Sequence, residues 1–583
     1  MQQPLLNPFR LLSLPRFAAG RAGVLLLGLC LSWTAPPDGI AQDTASGNTP
    51  VQFTNVTREA GIDFHLTCGT PEKLYIMDEL CGGVAWLDYD NDGWMDLLLI
   101  NGSTLERLRE GSSPPAQLFR NRGDGSFEDV TGKAGIDFRG WGMGVAVGDY
   151  DNDGWPDVYI THLQGGRLYR NQGNGTFQDV TREAGVDNRG RWGTSAAFGD
   201  YDNDGDLDLY VANYVRLDLD NLAEFGSSIF CTYRGIKVAC GPRGLAGERD
   251  RLFRNNGDGT FADVTETLGI DPDEYYGLGV LWWDYDLDGD PDVYIANDST
   301  PSLLYSNNGD GTFEEVGSIT GVAYSADGHA QAGMGVDSAD YDNDGWPDLV
   351  KTNFSDDVNN LYHNDGDGWF SDLGGEAGYA RISVRLLAFG VRLFDYDNDG
   401  WLDIYIANGH VNPQMDDHSF GVTYRQRDLL FHNLKSGRFE EVSEKVGLGM
   451  TADFVARGLA TADYDNDGDL DLLITNLENS PVLLRNDGGN RNHWLRVRLI
   501  GSSSNRDGFG ARVKVVAGGL TQTAYARAGS SYLSSHDPRL VFGLGAAGQV
   551  DLLEVRWPSG KVQTIPRIEG NQEVVVREQD LIN

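Results

Sequence analysis

Cysteine, histidine and basic residues are all scarce in this chain, and each shortage removes a class of function. Of 583 residues only five are Cys and nine are His, and Lys plus Arg total 46 against 87 Asp plus Glu. No His falls in an H-E-x-x-H spacing, and neither a G-x-S-x-G elbow nor a Walker loop occurs. A metalloprotease, an α/β-hydrolase and a P-loop enzyme are thereby excluded. A formal charge of −41 repels nucleic acid and anionic lipid, so neither is an expected partner. After the N-terminal region no apolar run approaches the roughly 20 residues that cross a bilayer. Long helical patterns are few as well, whereas 76 Gly and recurrent aromatics describe a turn-rich all-β chain that is not disordered.

The N-terminus carries Arg10, Arg16 and Arg21, then an apolar run from Ala22 to Trp33, then a Pro-containing stretch ending Gly39-Ile40-Ala41. This predicts a secretory signal over residues 1–41, with an uncleaved anchor as the alternative. Cys30 follows Leu29, not a small residue, which argues against a lipid-anchored Cys. Cleavage would remove three Arg and one Asp, taking the charge from −41 to −43. In an oxidising compartment the four remaining Cys pair most simply as local disulfides, Cys68 with Cys81 and Cys231 with Cys240. A zinc site would require those distant segments to meet.

What the chain has in abundance is a nine-residue acidic pattern, first seen as DYDNDGWMD from Asp88 to Asp96. Carboxylates stand at positions 1, 3, 5 and 9, with glycine at position 6 for a sharp turn. The seven sets are Asp88, Asp90, Asp92 and Asp96; Asp149, Asp151, Asp153 and Asp157; Asp200, Asp202, Asp204 and Asp208; Asp284, Asp286, Asp288 and Asp292; Asp340, Asp342, Asp344 and Asp348; Asp395, Asp397, Asp399 and Asp403; and Asp463, Asp465, Asp467 and Asp471. Side chains at these spacings converge as an oxygen cage for a hard cation. Calcium, up to seven ions in a structural role, is expected because its coordination tolerates a bending loop better than magnesium's octahedron. Position 7 varies between Trp and Asp, as suits a backbone-carbonyl ligand. An EF-hand is excluded because the twelfth position is Leu99, Ile160, Val211, Ile295, Lys351, Ile406 or Ile474 instead of Glu.

Each loop sits in a longer unit. A glycine-rich stretch precedes it, and a strand and a GDG- or GNG-turned hairpin follow, giving four short strands per repeat at the spacing of propeller blades. The outer-strand motif F-x-[DN]-V-T and its variants begin at Phe53, Phe127, Phe177, Phe261, Phe313, Phe370 and Phe439. The first copy precedes the first loop, and none follows the last. Ring closure by exchange is therefore predicted, with the N-terminal segment completing the blade that contains Asp463. Tyr285 and its equivalents at position 2 are expected to be packing residues and not a ligand-stacking platform.

These repeats resemble the FG-GAP/VCBS type of integrin α-chain propellers, over about residues 51–486. The resemblance implies a seven-bladed propeller whose calcium loops share one face. Residues 490–578 change character, with short strands at close spacing and no acidic loop; they predict a small β-sandwich-like domain of its own. The wording NHWLRVRLIGSSSNRDGFGARVKV, GSSYLSSHDPRLVFGLG and VRWPSGKVQ is similar to the ASPIC/UnbV domain. Propeller and tail together resemble the cartilage acidic protein family, which implies extracellular calcium binding and interaction roles.

The expected architecture is thus all-β: a signal at 1–41, a seven-bladed propeller at 51–489 with an insertion at 215–250, and a second β domain at 490–578. The insertion is the best candidate for recognition, since a disulfide would present Tyr233, Arg234, Lys237 and Arg243 to an acidic partner. Its alternative is a lid over blade hydrophobics. Arg506, Asp507 and Gly508 lie in a predicted turn, and His410 is the one His leaving a strand into an apparent loop. Two function classes follow: a secreted module binding extracellular protein or glycan, not an enzyme; or a carbohydrate-active or biosynthetic accessory enzyme sited in the propeller channel. Convergent carboxylates, His or Tyr with perturbed pKa in the channel would favour the enzyme, and a plug of small apolar residues the binder.

Overall fold

The glycine-rich stretches become the innermost strands of a ring, where backbones approach too closely for side chains. A Cβ on Gly335 would lie 2.2 Å from the Phe389 carbonyl, and one on Gly458 would lie 2.2 Å from the Gly82 carbonyl, each in the next blade. The computed structural model describes residues 51–270, 274–366, 368–447 and 452–579; the expected signal at 1–41 lies outside them. The described residues belong to one unit, Thr49–Asn583.

Seven antiparallel sheets repeat one plan. In blade 1 the strands are Val84–Leu87, Asp96–Leu99, Gln117–Asn121 and Phe127–Asp129. The acidic loop joins the first two. Innermost strands neighbour one another around a closed cycle, from Val84–Leu87 through Gly142–Gly148, Gly193–Gly199, Gly277–Trp283, Gly333–Ala339, Ala388–Phe394 and Ala456–Ala462 back to the first. This is the seven-bladed propeller that the repeats predict.

The ring closes by exchange as expected. Gln52–Asn55 lies antiparallel to Val482–Asp487, with Phe53 opposite Asn486, and supplies the outer strand of blade 7. The same pairing of rings recurs at every joint: the position 2 Tyr of one loop packs on the outer-strand Phe of the next blade. Tyr89 meets Phe177 at 6.2 Å, Tyr285 meets Phe370 at 6.1 Å, Tyr396 meets Phe53 at 6.2 Å and Tyr464 meets Phe127 at 5.9 Å. Phe53 is 1% exposed, so its ring is a full member of the interblade core.

The C-terminal residues form two packed sheets. Leu540–Gly545, His493–Ile500 and Gln572–Arg577 make one, and Leu520–Tyr525, Arg512–Ala517, Gln549–Arg556 and Val562–Glu569 the other. Leu495, Val515, Phe542 and Trp557 lie in the core between them. The expected sandwich is present, and it is also tied to the propeller, because it extends a hairpin, Gly529–Ser530 and Ser534–Ser535, into the propeller axis. Ser535 pairs with Ala85 in blade 1. Val336 N–H donates to the Ser531 carbonyl at 3.0 Å, and Val145 N–H donates to the Leu533 carbonyl at 3.2 Å. Val391 N–H donates to Ser531 Oγ at 3.1 Å. Tyr532 and Leu533, at 0% and 1% exposure, fill the axis. The physical reason is that innermost strands present unpaired backbone groups to the axis, and a serine-rich hairpin satisfies them.

Removing the closure ring tests this architecture. Phe53→Ala should lower unfolding free energy by about 3–5 kcal/mol in denaturant titrations, with Phe53→Leu much milder. A wild-type midpoint for Phe53→Ala would overturn exchange closure.

Candidate metal centres

Each acidic loop is wound on its own backbone. In the first, Asp88 accepts N–H groups from Asp92 at 2.9 Å and Gly93 at 3.0 Å, and Asp92 accepts one from Trp94 at 3.0 Å. The position 9 carboxylate does more. In all seven loops one of its oxygens accepts the position 2 N–H at 3.1–3.3 Å. Its other oxygen accepts the N–H of an Asn on the third strand at 2.7–2.9 Å: Asn121, Asn171, Asn255, Asn307, Asn364, Asn433 or Asn486. That Asn then reaches across the joint, where its Nδ2 donates to the position 2 Tyr carbonyl of the preceding blade at 2.7–2.9 Å.

A second belt links loop to loop. Asn at position 4 takes a left-handed conformation, with φ of 54° at Asn91 and 57° at Asn152. Its amide donates to the position 6 Gly carbonyl of the next loop at 2.9–3.2 Å, six times around the ring. The exception is the fourth loop, where Leu287 occupies position 4 and has no amide to give. Neither belt figures in the sequence expectations, although the N of D-Y-D-N-D-G, present in six of the seven loops, was the available signal for the second.

The carboxylates converge. Ligand oxygens of Asp88, Asp90 and Asp96 lie within 4.8 Å of one another, as do those of Asp149, Asp151 and Asp157 and of Asp200, Asp202 and Asp204. Position 3 supplies the decisive observation: Oδ1 of Asp90, Asp151, Asp342, Asp397 and Asp465 is buried without a hydrogen-bond partner. Burial is the largest cause pushing carboxyls at positions 1 and 9 up, and neighbouring carboxylates add to it: Asp96 to about 9, Asp149 and Asp340 to about 8, Asp200 and Asp284 to about 7. Orphaned oxygens in a crowd of acids fit a hard divalent cation.

The seven sites differ in a residue that sequence reading passed over, the one before the third-strand Asn. Arg120 bonds Asp90 at 2.6 Å and Asp92 at 2.8 Å, and Arg170 bonds Asp151 at 2.6 Å. In blades 5 and 6 a His stands there instead. His363 Nδ1 is 3.0 Å from Asp348, and that bond raises the imidazole to about 9. His432 Nδ1 is 3.2 Å from Asp403 and is raised for the same reason.

The C-terminal domain sits on this loop face. Arg496 pairs with Asp463 and Arg539 donates to the Asp463 carbonyl at 3.2 Å. Asn492 donates to the Asp397 carbonyl at 2.8 Å. Asp507, in the predicted Arg506–Gly508 turn, accepts the Asp149 N–H at 2.8 Å.

The FG-GAP-like repeat family matches residues 88–160, 150–211, 238–295, 284–351, 340–406 and 420–474, more than half of the chain. The chain belongs to the FG-GAP-like repeat family. An ASPIC and UnbV domain matches residues 501–582. Cartilage acidic protein 1 of Xenopus tropicalis is 28% identical over 537 residues, 84% of this chain and 72% of that protein. The human protein of the same name is 30% identical over 383 residues, 64% of this chain and 51% of its own length. The FG-GAP chain thus spans about half of its human relative. Among solved structures, an Agrocybe aegerita lectin studied for specific recognition of non-reducing terminal N-acetylglucosamine has 19% identity and a TM-score of 0.35, covering 62% of this chain and 79% of the lectin. BBS1N in complex with ARL6DN has 10% identity and a TM-score of 0.38, covering 74% of this chain and 96% of that one.

At the opposite end of this FG-GAP ring lie both disulfides, Cys68–Cys81 and Cys231–Cys240, paired as expected. The insertion does not gather a free basic cluster. Tyr233 Oη donates to Asp356 at 3.0 Å and Arg234 is ion-paired to the same carboxylate, so its charge is already answered. Lys237 is exposed, and Arg243 lines a cavity of about 510 Å³ at the axis. His410 lies in no open loop; it is 0% exposed beneath Tyr233 and Phe354, and burial lowers it to about 3.

The raised carboxyls give the metal-free protein a defined pH response. Their folded pKa values exceed the unfolded ones, so their contribution is present below about pH 4 and is lost as pH rises through 7 to 9. In chelator, the melting temperature should be lower at pH 8 than at pH 5; a scanning-calorimetry profile that is flat or rises would contradict the unshielded-cluster account.

Proposed function

We propose that this protein is an exported interaction module whose propeller is held in shape by calcium and whose surface binds an extracellular protein or glycan. The observation that carries the reading is the repeated, partnerless position 3 oxygen inside a cage of acids, which calls for a cation at many equivalent joints and not for one specialised reaction. Calcium suits the site because the ligands are all oxygens on loops that bend, conditions under which magnesium's rigid octahedron is hard to complete. Two disulfides accord with an oxidising compartment, as does the N-terminal signal expected from the sequence. The shared sequence with cartilage acidic protein 1 supports the same placement outside the cell.

A second reading, an enzyme sited in the channel, draws on Glu79, Asp298 and Tyr214 at the axial cavity. Against it stands the channel itself, which Tyr532 and Leu533 occupy. Calcium added to chelated protein should raise the melting temperature and restore protease resistance, with magnesium far weaker. Immobilised calcium-loaded protein should then capture a saturable ligand from extracellular protein or glycan arrays and release it on chelation. An unchanged melt, or turnover of a glycan without retention, would overturn the proposal.

A further inference from the structure

The cavity of about 510 Å³ lies at the end of the axis away from the acidic loops, bounded by the segments that do not repeat. Ile76, Glu79 and Leu80 come from the segment closed by Cys68–Cys81, and Phe230, Tyr233 and Arg243 from the insertion that holds Cys231–Cys240. Blade ends contribute Tyr214, Asp298, Phe354 and Phe389. Two disulfide-tied segments thus converge on one chamber, which repeated stabilisation of blades does not require.

Its polar lining is rich in acceptors. Glu79 lies deep beside Asp78 and Asp298, and burial pushes its carboxyl well up. No hydrogen bond or ion pair reaches that carboxyl among the described residues. Asp298 accepts from Tyr214 Oη at 2.6 Å and Ser299 Oγ at 2.8 Å and retains further lone pairs. Asp356 is answered by Arg234, and Asp357 by Gln331 at 2.7 Å. Independently of these acids, Ser355 Oγ lines the cavity without a partner, on a residue 5% exposed. Tyr532 Oη, on the axial hairpin beside Asp298 and Arg457, is likewise buried and unpartnered.

Positive charge answers this only in part: Arg457 and Lys73 oppose the rise of the Glu79 carboxyl through space, without a bond to it. Arg457 is buried next to Glu79, yet its N–H groups go to carbonyls, Glu79 O at 2.9 Å, Gly409 O at 2.9 Å and Ala456 O at 2.8 Å, while its face lies 3.9 Å from the Phe389 ring centroid. Arg243 is the one basic lining residue, and it stands exposed at the rim. The walls between the polar groups are aromatic and aliphatic, and Phe230 is 49% exposed at the mouth. A chamber whose deep charged groups are acids, whose free Ser355 hydroxyl can accept as well as donate, and whose walls carry aromatic rings complements a hydrogen-bond-donating cation on an apolar body.

We propose that this axial chamber is a binding site for a small organic amine, its ammonium group held by Glu79 and Asp298 and its apolar body packed on Phe230 and Phe354. The site is separate from the acidic loops, so it stands or falls independently of the calcium reading.

Calorimetric titration of the full chain in calcium, with phenethylamine and with its uncharged isostere phenethyl alcohol, decides it. The amine should bind about tenfold or more tighter than the alcohol, and Glu79→Gln should remove about that factor, in line with a charge-assisted hydrogen bond. Phe230→Ala, on the exposed rim, should weaken the amine as well. The calcium-dependent melt of each variant, read in parallel, verifies that the ring is intact. Equal affinity for amine and alcohol, no amine binding to the folded wild type, or undiminished binding by both variants would each overturn the proposal.

Discussion

The position 9 carboxylate is the point through which the rest of the ring is connected. One of its oxygens closes the acidic loop on the position 2 N–H, the other fixes the third strand through the Asn N–H, and that Asn grips the preceding blade. A cation gathered by the same loop therefore acts on three levels: the turn, the blade and the joint between blades. Burial at 0–1% exposure in every copy makes the carboxyl costly to leave charged and unshielded. Each loop is thus tied to its neighbours through the two Asn belts.

The two ends of the ring have been put to different uses. At the loop end the C-terminal domain lies over the acidic loops with Arg496, Arg539 and Asp507 aimed at them, and its hairpin runs into the axis. The opposite end carries the two disulfide-tied segments, joined there by the blade 6 segment that holds Val411, Gln414 and Phe420. Non-repeating sequence is therefore concentrated where the ring leaves space, while repeating sequence builds the walls. The fourth loop, with Leu287 in place of Asn, marks the one gap in the loop-to-loop belt, and a second cavity of about 450 Å³ lies there beneath Arg512, Tyr525 and Trp557.

Most of the ring could be read from the residues because its determinants are local. Four Asp and a Gly in nine positions define a loop wherever they occur, and the seven Phe motifs, counted against seven loops, placed Phe53 in the last blade. The disulfides followed from short separations. What stayed hidden depends on distant partners. Ser531 and Leu533 carry no sign that they enter an axis formed by strands hundreds of residues earlier, and Glu79 looks like any surface acid until the insertion closes over it. Arg120 and His363 appear as ordinary strand residues because only the folded hairpin carries them back over a loop some 30 and 15 residues upstream. The basic cluster expected in the insertion failed for the same reason: Asp356, which answers Arg234, lies 122 residues away.

The axial hairpin also sets an order of events in biogenesis. Blades one to six are sequence-local and can form as the chain emerges, but the axis remains open until Gly529–Ser535 has been made and returns to strands as early as Val84–Leu87. Blade seven waits for the meeting of Gln52–Asn55 with Val482–Asp487. Contacts of such long range form late. A chain that emerges N-terminus first consequently holds an unsealed ring until residues 529–535 have followed all seven blades.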